Sequence, residues 1–317
     1  MLKENQKFVC IAIDGIDGSA ITLPLKMDLF WVMNEPSFVI KDIWKEWLGS
    51  LRIEEILNCG VFILIAQDST NPGILDDESA ELLDNALMFY TAIPFTGNYH
   101  MSNSCAITGE NAANSTVIRQ ISNPNKYFSN ENVSSSVFGK TKLMEALSIS
   151  KALKAINENS ECSRLLRGVN AFLKGLSEVQ PAYRIHQFVR ALEALLKPPI
   201  GQTRNKFIHR CKTFLKCSPD PSNTLGEVYD LRSKIEHMHD WSEAFPDISI
   251  KNIEQRAMLR TRQIEHLTRN TYRRILTDSI LRENFQNSNI DNFWSQSDSK
   301  KMECWGDGIE INAIMDS

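Results

Sequence analysis

This 317-residue chain lacks any apolar stretch long enough to cross a bilayer. Its longest such run lies around residues 60–66, whereas a spanning helix needs about 20 apolar residues. The opening MLKENQKFVCIAIDG contains neither a signal-peptide apolar core nor a small-residue cleavage site, so a cytoplasmic location is expected and no membrane association. The seven cysteines (Cys10, Cys59, Cys105, Cys162, Cys211, Cys217 and Cys304) are scattered and odd in number, with no C-x-x-C pair. That pattern excludes a disulfide scaffold and a paired-thiolate zinc site. G-x-S-x-G, H-E-x-x-H and a G-x-G-x-x-G following a strand are all missing, which removes serine hydrolases, zincins and dinucleotide-binding enzymes. The two N-x-S/T sequons, at Asn114 and Asn132, carry no weight in a protein that is not secreted.

What is present is an ordinary globular composition, 42% apolar and 23% charged, in a chain long enough for two domains. The net charge of −4 conceals an asymmetry. Residues 1–137 carry 8 Lys/Arg against 17 Asp/Glu, a net of −9, while residues 138–317 carry 27 against 22, a net of +5. A basic half points to a polyanionic partner, and nucleic acid is the usual one. The composition changes at the same place, because residues 121–137, ISNPNKYFSNENVSSSV, form a Ser- and Asn-rich stretch that reads as a linker. The expected domains are therefore 1–137 and 138–317.

Short β-like runs dominate the first part. FVCIAIDGIDGSAITLPL reads as two strands around a glycine turn, GVFILIAQ as a third, and CAITG and STVIRQI as others. Helical patterns fall at 40–58 and 78–91, so an α+β domain is expected. Beyond the linker, segments 140–157, 162–176, 181–197, 203–216, 224–239 and 252–278 each place apolar residues three and four apart, which predicts an all-helical bundle. Ile185, Phe188, Val189, Leu192, Leu195 and Leu196 form one stripe, and the helix carrying them should stop at Lys197-Pro198-Pro199.

Three motifs invite chemistry. IDGIDGSAIT, residues 13–22, has the look of a phosphate-binding loop, but Ala20 and Ile21 stand where its second glycine and its lysine belong. A hairpin turn is the better expectation. The run His237-Met238-His239-Asp240 resembles a ligand cluster, yet successive residues on a helix do not share a face, so no metal and no cofactor is expected. The third is Arg232 followed after four residues by His237, in a helical segment preceded by RIHQFVRALEALLKPP and RNKFIHRCKTFL and followed by a long basic helix and Asn292 to Trp294.

That order of elements, over about residues 140–295, resembles the HEPN superfamily, and within it the Apea-like branch tied to prokaryotic defence. The resemblance implies a metal-independent endoribonuclease whose Arg-x4–6-His motif falls here on Arg232 and His237, in a domain that dimerises to join two motifs in one cleft. Glu193 is similar to the acidic residue that supports the family's site. Ser233 follows the arginine where many active members carry Asn, Asp or another polar residue. Apart from the resemblance, the charge of the long basic helix makes Arg260, Arg262, Arg269 and Arg273 candidate RNA phosphate contacts, a solvated face being the alternative. The implied partners are RNA, with tRNA among the candidates, a second copy of the chain, and a phage-derived trigger or an antitoxin. The acidic first domain would act as sensor or regulator of an abortive-infection effector or toxin. A catalytically silent HEPN scaffold, used for dimerisation or ligand binding, is the alternative.

The chemistry stands without the family. Metal-free RNA cleavage must take a proton from the 2′-hydroxyl and return one to the 5′-oxygen. Histidine, with an unperturbed pKa of about 6.5, does either near neutrality. An arginine fork meets the negative charge that builds on the phosphoryl oxygens. The products would be a 2′,3′-cyclic phosphate and a 5′-hydroxyl, and DNA would be spared for want of the 2′-hydroxyl. Geometry adds a constraint, since five residues along a regular helix rotate by about 140°. Arg232 and His237 therefore converge only if the arginine reaches around, the helix is distorted, or a second protomer completes the pocket. Without convergence the same residues read as a surface charge and a helix-end histidine.

Overall fold

A computed structural model describes every residue except 1, 23, 37, 70–75, 113–114, 130–136, 217 and 314–317. Asn114, Asn132, Cys217 and part of the expected linker thus lie outside the described residues. The chain divides into two compact units, 1–150 and 151–317.

The first unit is built on a six-stranded, wholly antiparallel sheet in the order β2-β3-β4-β1-β5-β6. Its strands are β1 (Gln6–Ile13), β2 (Leu25–Met27), β3 (Phe30–Met33), β4 (Val61–Asp68), β5 (Cys105–Ala112) and β6 (Ser115–Ser122). β1 is central and nearly all apolar, because both its faces are covered. Phe8, Cys10 and Ala12 join Phe62, Leu64, Cys105 and Ile107 in one core, with Ile53 and Ile56 of α2 (Ser50–Leu57) over them. α1 (Asp42–Leu48) lies beside α2 across Gly49, whose φ of 78° breaks what the sequence suggested as one helix. On the opposite face α3 (Asp77–Thr96) packs on β1 and β4, with Phe89 against Phe30 at 4.9 Å. Its first turn is capped by Asp76, which accepts from the Ser79 amide.

One sequence expectation fails here. β1 forms no hairpin with the chain that follows it, and pairs instead with β4 and β5. Gly15 and Gly18 serve close approach, and Gly18 also opens a tight turn, its carbonyl accepting from the Ile21 amide at 2.8 Å. A Cβ on Gly15 would fall 1.7 Å from the His100 carbonyl oxygen, and one on Gly18 would fall 1.8 Å from that of Gly60. The hairpin lies further on, between β2 and β3, with Asp28 at φ 56° in its turn.

α4 (Lys140–Glu158) begins just after the Ser/Asn-rich stretch, but the two units divide within it rather than at 137/138. Its approach and first turn belong with the sheet unit. Phe138 meets Tyr99 edge-on at 5.6 Å, and the Lys142 ammonium lies 5.3 Å over the same ring.

The second unit is helical: α5 (Ser163–Ser177), α6 (Pro181–Leu196), α7 (Thr203–Cys211), α8 (Ser222–Glu236) and α9 (Ile250–Thr277), then the short α10 (Ser279–Glu283), α11 (Ile290–Ser295) and α12 (Asp298–Trp305). α6 is the hub, in contact with α5, α7, α8 and α9. Its expected stripe from Ile185 to Leu196 is fully buried. Pro181 opens it at the first position, where the missing amide costs nothing. It ends at Lys197 in left-handed conformation, ahead of the two prolines. Among the described residues no helix is long and apolar enough to cross a membrane.

Candidate functional site

Three arginines converge on the C-terminal half of α6 and fix where Glu193 sits. Arg164 donates to the Ala194 carbonyl at 2.8 Å and to the Glu193 carbonyl at 3.2 Å. Arg210 donates to the carbonyls of Leu196 and Lys197. These guanidinium groups bond to carbonyls at the end of α6, where a helix leaves its last carbonyls without intrahelical partners, and the Glu193 carbonyl accepts from the Lys197 amide as well. The third, Arg232 of α8, brings one nitrogen to 3.3 Å from the Glu193 carboxylate and another onto Glu236, one turn along its own helix. Its Nε is buried without a partner, and its guanidinium lies 5.9 Å from the Tyr229 ring centroid.

Glu193 is largely buried, and burial raises its pKa above the usual carboxylate range despite the nearby charge of Arg232. A carboxyl tuned this way sits closer to neutrality than a surface glutamate. Behind it, burial and Glu193 itself keep the enclosed Cys211 a thiol.

His237 is the C-cap of α8, and a Schellman motif places it there. The amide of His239 donates to the Lys234 carbonyl at 2.9 Å and that of Met238 to the Ile235 carbonyl at 3.2 Å, with Met238 at φ 58°. The helix therefore ends at the proposed general acid or base, and the His237 side chain is exposed. No direct contact joins Arg232 to His237 among the described residues. Arg232 turns inward between two carboxylates while His237 faces solvent, as the 140° rotation implies. Ser233 is half-buried on the same turn. In the adjacent run the His237 and His239 rings stand 6.4 Å apart, and Asp240 caps the next helical turn by accepting from the Ser242 amide.

The arginines of α9 fare differently from the expectation. Arg260 is buried on Glu227 and Gln263, and Arg269 is buried on Glu265. Both lie inside the unit, so the assignment of Arg260 and Arg269 to phosphate contacts gives way to a packing role. Glu227 receives Arg256 as well. Burial would raise its pKa, but the bonds from Arg256 and Arg260 outweigh that and hold it below the usual range. Arg262 and Arg273 are half-buried on the same helix.

Two features went unread in the sequence. His186 of α6 is half-buried beside the cluster, where burial and the charge of Arg232 hold its pKa below the ordinary imidazole value. Arg190, exposed on the same helix, also lies in electrostatic range of His186 and Glu193. Their four- and three-residue spacing, 186–190–193, was a visible signal, since such residues share one helix face. In the first unit, the IDGIDGS loop lines a cleft of about 400 Å³ with Asn34, Asn58 and Gly60. It contains no lysine to meet a phosphate.

Comparison with protein-family models, with curated proteins and with solved structures finds no match for this chain.

Proposed function

We propose that the chain is a HEPN-type, metal-independent endoribonuclease of prokaryotic defence, with Arg232 and His237 in its active site and Glu193 supporting Arg232. The observation that carries the reading is the Glu193–Arg232 pair at 3.3 Å. It joins two helices at the residues that the resemblance singles out, with the histidine at the end of the second helix. Arg232 holds the phosphoryl oxygens as negative charge accumulates on them, and the carboxyl of Glu193 orients its fork. His237 moves a proton at the 2′- or the 5′-oxygen, and a positioned group of this kind is worth about 10² to 10⁴-fold in rate. Arg262 and Arg273 remain the candidates for RNA phosphate contacts. The protein acts in the cytoplasm as a homodimer through its helical unit, and the acidic first unit senses a phage-derived trigger or an antitoxin.

A second reading draws on a specific observation. Arg232 is already engaged by two carboxylates and His237 points to solvent, which suits a HEPN scaffold used for dimerisation or ligand binding. The variant His237→Ala separates the two. Loss of RNA cleavage with the fold and oligomeric state intact supports the enzyme. A variant that changes only folding or assembly supports the scaffold.

A further inference from the structure

The two carboxylates that engage Arg232 are held very differently. Glu193 belongs to another helix, is 19% exposed, and has its own carbonyl bonded by Arg164 at 3.2 Å. Glu236 is 41% exposed, ends α8, and meets Arg232 across a single turn of that helix. This second contact supports the helix poorly. A carboxylate in the last turn faces the negative end of the helix dipole, and at i,i+4 the order with the cation first is the less favourable one.

Neither carboxylate grips the guanidinium side-on. Each takes a different terminal nitrogen with one oxygen, and Nε has no partner. As bonded, Arg232, Glu193 and Glu236 carry one positive and two negative charges, a net of −1. An incoming phosphate is repelled by that trio. Once Glu236 swings away the pair left behind is neutral, and Arg190, exposed one turn before Glu193 on the same face of α6, adds positive charge.

We propose that Arg232 forms an oxyanion site which the Glu236 carboxylate fills in the resting chain and which a phosphate group of the ligand takes over by displacing it. The inference rests on the ribonuclease reading above and adds a competitor built into the site. Glu193 keeps the arginine in place throughout, because its attachment is to α6. Glu236 leaves readily, since a partly exposed ion pair of this kind contributes little and its carboxylate rehydrates. A carboxylate is a fitting occupant, because it presents to a guanidinium the same kind of anionic oxygen as a phosphate.

The test titrates the full chain with inorganic phosphate at constant ionic strength, followed by the Arg232 guanidinium resonance. Glu236→Gln should tighten phosphate binding by about 3- to 10-fold, from loss of the competing pair and of one repelling charge, without lowering Tm. The gain should vanish when Arg232→Gln is added. Glu243→Gln is the control: it removes the same charge from the next turn, where Glu243 bonds Lys234 at 2.6 Å, and should leave the affinity close to wild type. With RNA, Glu236→Gln should raise kcat/KM by the same factor as the phosphate affinity. An affinity in Glu236→Gln equal to wild type, an equal gain in Glu243→Gln, a gain that survives Arg232→Gln, or no phosphate binding at all would each overturn the inference. Tighter phosphate binding in a chain that cleaves no RNA in any variant keeps the oxyanion site and removes the ribonuclease reading. Cleavage by the wild type with no gain in Glu236→Gln does the reverse.

Discussion

The two units bury different chemistry. In the sheet unit the interior is hydrocarbon, with β1, β4 and β5 flanked by helices on both faces, and its one deeply buried ammonium among the described residues, Lys7, reaches half-buried carboxylates of Asp76 and Glu78. There the hydrogen bonds to Asp76 and Glu78 outweigh burial and raise the Lys7 pKa. In the helical unit charge runs through the middle. Arg184 is 0% exposed and bonds Glu265, 3% exposed, at 2.7 Å, and Glu265 also holds Arg269. Arg260 and Glu227 repeat the pattern nearer the surface. The basic character of the second half is therefore partly structural, since several of its arginines tie α6, α8 and α9 together. A count of positive charge overstates the surface offered to a polyanion, and the Arg232 cluster stands out because it lies at the margin of this network.

The sharpest way to break that comparison is to remove Arg184. Arg184→Ala leaves part of the Glu265 charge buried and uncompensated, and the expected loss in denaturant melts is about 3–5 kcal/mol. Lys7→Met in the sheet unit should cost far less, since Asp76 and Glu78 can rehydrate. Equal costs would erase the distinction drawn between the two interiors.

Glu193 offers a pH test. Its pKa is raised in the fold from an ordinary 4.5, so the protonated form is favoured there. Its contribution to stability is complete below about pH 4.5 and declines as pH rises through the folded value. Glu193→Gln should therefore gain Tm over the wild type at pH 7 and lose that advantage near pH 4. A pH-independent difference would contradict the burial argument.

Smaller effects follow. Met238 holds a left-handed conformation at the end of α8, so Met238→Gly should stabilise the helical unit by about 0.5–1 kcal/mol. The sheet unit has its own exposed apolar row, Val39, Ile43, Trp47 and Leu51, with Trp47 83% exposed. Trp47→Ser should change stability by no more than about 0.5 kcal/mol. A larger loss in thermal melts would mean that this row is covered.

Legibility in the sequence tracked periodicity. Long amphipathic helices announced themselves: α6 and α9 begin and end within two residues of the expected bounds, and the stripe from Ile185 to Leu196 is buried throughout. Strands β4, β5 and β6 were also visible as apolar runs. Sheet pairing was not, because β1 joins strands distant in sequence and the glycines after it do not fold it back into a hairpin. In the site, the resemblance singled out Glu193, which the structure places beside Arg232, and helix geometry warned that Arg232 and His237 need not converge. The roles of Arg260 and Arg269 were not, since only packing shows which arginine meets a buried carboxylate. His186 escaped because its spacing to Arg190 and Glu193 marks only a shared helix face, while much of the charge that acts on it comes from α8, a neighbour the sequence does not place.

The measurement closest to the central claim is incubation of wild-type and His237→Ala protein with tRNA and mixed RNA in EDTA, followed by analysis of the product ends. The account predicts cleavage by the wild type alone, with 2′,3′-cyclic phosphate and 5′-hydroxyl termini. Cleavage by both proteins alike, or 3′-hydroxyl and 5′-phosphate ends, would contradict it. So would silence of the wild type after addition of phage-infected extract as trigger, and the scaffold reading would then take its place.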